Sequence, residues 1–131
     1  MNTAALNQYK SVGVQTGMVD ATPHQMITML LDGTLDRIAA ARGAMERQEV
    51  ARKGELIGSA IAIIDSMRAS LDYNKGGEIA ANLGSLYDYI ESRLVAANAG
   101  GDTGMLDEAS SLLREIKTGW ASIPSDIRSQ P

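Results

Sequence analysis

Residues 71–83 constrain the fold of this chain more than any other stretch, because two adjacent glycines separate the end of one amphipathic helix from the start of another. Gly76 and Gly77 supply the positive φ angles that a sharp reversal of the backbone needs. From Ile79 onwards, apolar residues recur every three or four positions, which is the spacing of a helix with one buried face. The segment therefore predicts a helical hairpin in the middle of the chain.

Apolar residues at helical spacing predict four helices in all, and residues with special backbone preferences mark their ends. Thr22 is suited to cap the first helix, with Pro23 at its first position and Gln25 completing a capping box. Either Asp102 or Thr103 can cap the last helix, and Pro124 ends it. The predicted helices span about residues 23–48, 50–72, 78–98 and 103–123.

Short connections between four helices of similar length predict an all-α fold, an antiparallel up-and-down four-helix bundle. A chain of 131 residues fits one domain of this kind, because smaller pieces would not bury an adequate core. We expect a short N-terminal helix or arm at 1–21, the bundle at 22–123 and a flexible tail at 124–131.

Composition excludes several classes of function. The formal net charge of −4, without any basic run, argues against binding to nucleic acid. The chain has no cysteine, which excludes disulfides, thiolate zinc sites and a cysteine nucleophile. It contains neither an apolar run long enough to insert in a membrane nor a signal peptide at its N-terminus. These features predict a soluble protein of the cytoplasm.

Motifs for catalysis, metal binding or cofactor binding are absent from the sequence. His24, the one histidine, is expected to be an exposed residue at a helix start, with no serine or cysteine partner at a telling spacing. The bundle carries no Glu-x-x-His pair for a metal. Gly76 and Gly77 lack a following Gly-Lys-Ser/Thr, and Glu78 would repel a phosphate. We therefore predict no enzyme activity, no metal and no cofactor.

The predicted second helix is apolar over a wider arc than one packed face requires. Leu56, Ile63 and Met67 form a flank beside the stripe of isoleucines that points to the core. The first helix has a similar flank with Met26 and Met29. For any single residue the alternative is extra core, but together the flanks suggest an exposed groove that takes a partner helix.

The spaced motifs of this chain resemble those of the flagellar export chaperone family that binds flagellin. The resemblance covers residues 9–123, and its strongest part is the double glycine with the helix after it. Two departures are Leu31, where many members have an aromatic residue, and a variable insert at 73–75. The motifs are Tyr9, residues 22–27, 29–33, 60–65, 71–72, 76–80, 82–83 and 86–90, Leu94, residues 97–98 and Trp120.

Membership of this family implies a cytoplasmic chaperone of type III secretion. The disordered C-terminal segment of flagellin would become helical along the bundle, so that it does not polymerise before delivery to the flagellar export apparatus. Whether the export gate or an anti-sigma factor shares this surface stays open, as does whether the N-terminal arm covers it. The predicted contact residues are flank positions within the family motifs, namely Tyr9, Met26, Met29, Leu56, Ile63, Met67, Asn82 and Tyr89.

Other classes of function are alternatives to this interpretation. A small regulatory or adaptor module that binds an amphipathic helix of a different partner would need the same exposed flanks. A histidine-transfer module would need an exposed histidine in mid-helix, whereas His24 follows Pro23 at a helix start. An enzyme would need a nucleophile and a base, for which the sequence offers no pair.

Overall fold

A computed structural model describes residues 21–123, and every regular element in this range is a helix. The predicted all-α class is confirmed. Most of the predicted N-terminal arm and the whole predicted tail, residues 124–131, lie outside the described residues. The four helices are α1 (Pro23–Glu46), α2 (Val50–Ala69), α3 (Tyr73–Gly100) and α4 (Thr103–Ala121).

Helix α1 starts as its sequence predicts. The Thr22 hydroxyl accepts a hydrogen bond from the Gln25 backbone N–H at 3.1 Å, and the Gln25 side chain accepts one from the Thr22 N–H at 2.9 Å. This reciprocal pair is a capping box. The helix ends at Glu46, two residues before the predicted end, because Gln48 takes a positive φ of 59° that a helix does not allow.

The predicted hairpin is present, but its turn is shorter than expected. Helix α2 ends at Ala69 rather than near residue 72, because the Asp72 carboxylate already caps the next helix by accepting from the N–H groups of Asn74 and Lys75. One helical turn follows, and the backbone then breaks at Gly77, where φ is 51° and ψ is −124°. Gly77 is the one residue of the glycine pair with a positive φ.

The turn between α3 and α4 combines two of the predicted signals. Gly101 ends α3 in the left-handed conformation, with a φ of 63°. The Asp102 carboxylate then accepts hydrogen bonds from the backbone N–H groups of Gly104 and Met105. Asp102, rather than Thr103, is therefore the cap of α4.

The helices form a closed ring in which α1 packs against α2 and α4, and α3 packs against the same two helices. The Lys53 ammonium near the start of α2 donates to the Asn98 carbonyl oxygen near the end of α3, which shows that these helices are antiparallel. The core lies on the ring axis. Its fully buried members include Leu31, Ile38, Ile57, Ile64, Ile90, Leu94, Leu106 and Leu113.

Candidate functional site

Two of the predicted contact residues lie in the core rather than on an exposed flank. Ile63 is 7% exposed and Met67 is 2% exposed, so the prediction that they form an open surface is wrong. Met67 Sδ lies 4.0 Å from the hydroxyl oxygen of Tyr87 on α3. The reason is the closed ring of helices. Helix α2 has a neighbour on each side, so α1 and α3 together cover the apolar half of its surface.

The other predicted residues of α1 and α2 are partly exposed along the groove between these helices. The register of this groove is set by the Arg37 guanidinium, whose Nε donates to Ser59 Oγ at 2.6 Å. Leu56 therefore lies opposite the second half of α1, about 15 Å along the axis from Met29. We call the three partly exposed residues Met26, Met29 and Leu56 the α1–α2 surface.

Asn82 and Tyr89 are exposed on α3, on the side that faces α4. The Tyr89 hydroxyl donates to Glu108 Oε1 at 2.9 Å, and Arg93 Nε lies 2.9 Å from the same oxygen. The hydrogen bond to Glu108, and then burial and the charge of Glu108, raise the pKa of the Tyr89 hydroxyl. Nearly half of the Tyr89 surface, 46%, remains exposed.

Sequence reasoning missed several exposed apolar residues. Helical spacing places Ile79 and Val50 in line with the core-facing residues of their helices, yet Ile79 is 78% exposed and Val50 is 70% exposed. Val50 is the first residue of α2, so its side chain lies at the edge of the bundle. Ile79 lies two residues after the break at Gly77. The sequence signal for this exposure was the glycine pair just before Ile79. The backbone breaks at Gly77, and the residues next to the break pack incompletely.

Together these observations define a second apolar surface, between α3 and α4. Helical spacing places its members on the facing sides of the two helices, and those that are partly buried pack on the core. We call the following residues the α3–α4 surface: Ile79, Asn82, Leu86, Tyr89, Leu112 and Ile116. It lies on the opposite side of the ring from the α1–α2 surface, so the structure does not bring the predicted contact residues into one site. Tyr9 lies outside the described residues.

His24 is not the exposed residue that the sequence suggested. Its ring stacks on Trp120, with ring centroids 4.9 Å apart. His24 Nε2 lies 3.0 Å from the Trp120 carbonyl oxygen, and Trp120 Nε1 donates to the His24 carbonyl oxygen at 3.0 Å. This pair joins the start of α1 to the end of α4 and gives His24 a packing role.

The groove between α2 and α3 carries a cluster of charged side chains, of which Glu91 is the least exposed. Arg68 forms ion pairs with Asp65 on its own helix and with Asp88 and Glu91 on α3. Burial, and then the hydrogen bond and negative charge of Asp65, raise the pKa of Glu91 to about 7. Within residues 21–123 no group of three or more acidic, histidine or cysteine side chains is arranged to hold a metal ion.

None of the four described helices combines the length and the apolar character that a membrane span requires.

Comparison with known proteins gives one family over nearly the whole chain. The family described as "Flagellar protein FliS" matches residues 5–126. A flagellar secretion chaperone of Pseudomonas aeruginosa, FliSB, is 50% identical over 119 residues, which cover 91% of this chain and 94% of that protein.

Two more distant relatives agree with this match. The flagellar secretion chaperone FliS of Salmonella typhimurium is 42% identical over 125 residues, covering 94% of this chain and 93% of the relative. The protein of the same name from Vibrio cholerae is 38% identical over 122 residues, covering 93% of this chain and 90% of the relative.

Proposed function

Because the chain belongs to the FliS family of flagellar proteins, we propose that it is a cytoplasmic flagellar secretion chaperone. Its client is the C-terminal segment of flagellin, which it keeps from polymerising and delivers to the flagellar export apparatus. The observation that carries the proposal is the match over nearly the whole chain to relatives named as secretion chaperones.

The positions of the two apolar surfaces support a long, extended client. The α1–α2 surface and the α3–α4 surface lie on opposite sides of the ring, so one short helix does not reach both. A segment of about 40 residues spans about 60 Å when it is helical, and further when it is extended. A disordered segment can follow such a path around the bundle and fold as it binds.

The exposed members of these surfaces supply the contacts in this proposal. Partly exposed methionines such as Met26 and Met29 have flexible, polarisable side chains that adapt to a helix laid over them. Tyr89 offers a half-exposed ring, which buries a large apolar area at a low cost in side-chain entropy. Ile63 and Met67 support these contacts from the core instead of making them.

The direct experiment is to mix the protein with a peptide of about the last 40 residues of flagellin and record far-ultraviolet circular dichroism. We expect a helical signal larger than the sum of the two separate spectra, because the peptide becomes ordered on binding. A scrambled peptide of the same composition is the control. Absence of both binding and new helical signal would refute the proposal.

Two substitutions test whether both surfaces take part. Met29→Ser and Tyr89→Ser should each weaken binding of the flagellin peptide about fivefold to tenfold, as expected for central apolar contacts. The double variant should bind the peptide more weakly than either single variant. Tyr89→Phe keeps the ring and should bind nearly as wild type. Ala62→Ser, on the exposed outer side of α2, is the matched control and should leave affinity unchanged.

A further inference from the structure

Tyr73 lies against Gly84 of its own helix, across the break in the backbone at Gly77. A Cβ atom placed on Gly84 would meet the Tyr73 hydroxyl oxygen at 2.8 Å and the Tyr73 Cζ atom at 3.7 Å. The same Cβ would lie 3.5 Å from Leu71 Cδ1. The phenol therefore fills a shallow trough whose floor is the bare backbone of Gly84 and whose wall is Leu71.

The first turn of α3 holds the phenol in this position. Asp72 caps the turn, and the break at Gly77 sets it at an angle to the rest of the helix. Gly76 also packs closely, since a Cβ there would meet Ala80 Cβ at 2.8 Å. The trough lies one helical turn before Asp88, which pairs with Arg68, so it belongs to the α2–α3 side of the bundle.

The ring is not enclosed by the bundle. Tyr73 is 52% exposed, whereas Gly84 beneath it is buried. Rotation about the side-chain bonds of Tyr73 would uncover the trough without any change in the helices, because the hydroxyl oxygen over Gly84 is the far end of a flexible side chain. The tip of the Tyr73 ring, its Cζ and hydroxyl oxygen, lies over Gly84 beside Leu71, so the trough has room for the tip of a leucine or aromatic side chain of another polypeptide.

We propose that the trough over Gly84 is a binding subsite for one apolar side chain of the flagellin segment, and that Tyr73 fills it in the free protein as an autoinhibitory plug. This inference rests on the proposed function, because that function supplies the client. It adds a third contact region, on the α2–α3 side, between the two apolar surfaces. Displacing the plug costs part of the binding free energy of the client.

The plug itself is tested without any client. In the wild type, nuclear Overhauser effects should connect the ring protons of Tyr73 to the α protons of Gly84. In Gly84→Ala these contacts should be lost, because the new methyl group meets the hydroxyl oxygen. The double variant Tyr73→Phe/Gly84→Ala should regain contact between the ring and the residue-84 methyl, because only the hydroxyl oxygen is too close. Loss of contact in both variants would refute the predicted fit.

The subsite is tested with the flagellin C-terminal peptide. Tyr73→Ala empties the trough and should tighten binding about threefold to tenfold, while Gly84→Ala puts a methyl group in the trough and should weaken it by a similar factor. Tyr73→Phe is the matched control and should bind within about twofold of wild type. Weaker binding by Tyr73→Ala, or an unchanged affinity of Gly84→Ala, would overturn the inference.

The two proposals fail in different ways. If the wild type does not bind the peptide, the proposed function fails, while the nuclear Overhauser measurements still decide whether Tyr73 is seated over Gly84. If the wild type binds and the Tyr73 and Gly84 variants bind equally well, only the plug is refuted. Thermal unfolding followed by circular dichroism should show that each variant keeps its helices, since Tyr73 lies at the surface.

Discussion

The two sides of α2 pack against their neighbours by different means. On the side of α1, Gly33 has no side chain, so the helices come close and Ile63 Cδ1 lies 3.9 Å from where a Cβ of Gly33 would be. On the side of α3, Arg68 lies among three carboxylates, those of Asp65, Asp88 and Glu91. The α1 side brings an isoleucine against a glycine, whereas the α3 side carries a charge cluster beside its buried contact between Met67 and Tyr87.

This difference shows why the apolar width of a helix does not by itself reveal a partner surface. In a ring of four helices, a helix with a half-cylinder of apolar residues has two neighbours to cover them. The cluster on the α3 side also carries more negative charge than its single guanidinium neutralises. We therefore expect the α1 side to dominate stability and the α3 side to make stability depend on pH.

The largest expected effect is on the α1 side. Ile63→Asp should lower the free energy of unfolding by about 3–5 kcal/mol, because a carboxylate would be buried without a partner charge. Urea unfolding followed by circular dichroism at 222 nm measures this change.

Leu56→Asp is the matched control for this prediction, because Leu56 is partly exposed on the same helix. Leu56→Asp should lower the free energy of unfolding clearly less than Ile63→Asp does, since the new carboxylate can reach water. An Ile63→Asp variant as stable as the wild type would return Ile63 to the surface, where the sequence pattern alone had placed it.

The second effect tests the charge cluster on the α3 side. The pKa of Glu91 is about 7 in the folded protein, against an ordinary value of 4.5. The folded state therefore holds the Glu91 proton more tightly than the unfolded state, so the contribution of Glu91 to stability is full below about pH 4.5 and is lost as the pH rises through about 7. Glu91→Gln should remove this loss and stabilise the protein by about 2 kcal/mol at pH 8, after allowance for solvent screening.

Urea unfolding at pH 5, 6, 7 and 8 gives the slope of stability against pH for each protein. Glu108→Gln is the control, because Glu108 pairs with Arg93 on the other side of α3 and should leave the slope of the wild type unchanged. If Glu91→Gln and the wild type lose stability in parallel between pH 5 and pH 8, the charge cluster is not the origin of the slope.

Local signals in the sequence predicted the helix starts well. The Thr22 capping box and the Asp102 cap depend on side chains that bond to backbone groups two or three residues away, so no tertiary information is needed. The α2–α3 turn was harder, because Asp72 competed with the glycine pair as the place where the next helix begins. The fold class followed from these starts and from the short connections between helices.

The exposure of the flanks could not be predicted in the same way. Whether Ile63 faces solvent depends on how closely α1 approaches, and that distance is set by the small size of Gly33 across the groove. The stacking of His24 on Trp120 joins residues 96 positions apart, so no local pattern announces it. Tyr89 was correctly expected outside the core, because its position on the helix lies beside the buried stripe rather than within it.

The smallest expected effect returns to the α1 side, at the hydrogen bond between Arg37 and Ser59. Ser59→Ala removes the acceptor of the 2.6 Å hydrogen bond from Arg37 Nε. Arg37 is only partly buried and keeps its second bond, from Nη1 to the Gly33 carbonyl oxygen, so the lost donor can turn to water. We expect a loss of about 0.5–1 kcal/mol in the free energy of unfolding, independent of pH between 5 and 8.

Ser66→Ala on the same helix is the control. The Ser66 hydroxyl donates to the Ala62 carbonyl oxygen one turn away, so this substitution should lower the free energy of unfolding by less. A loss at Ser59 as large as that of Ile63→Asp would mean that the hydrogen bond, rather than apolar packing, joins α1 to α2.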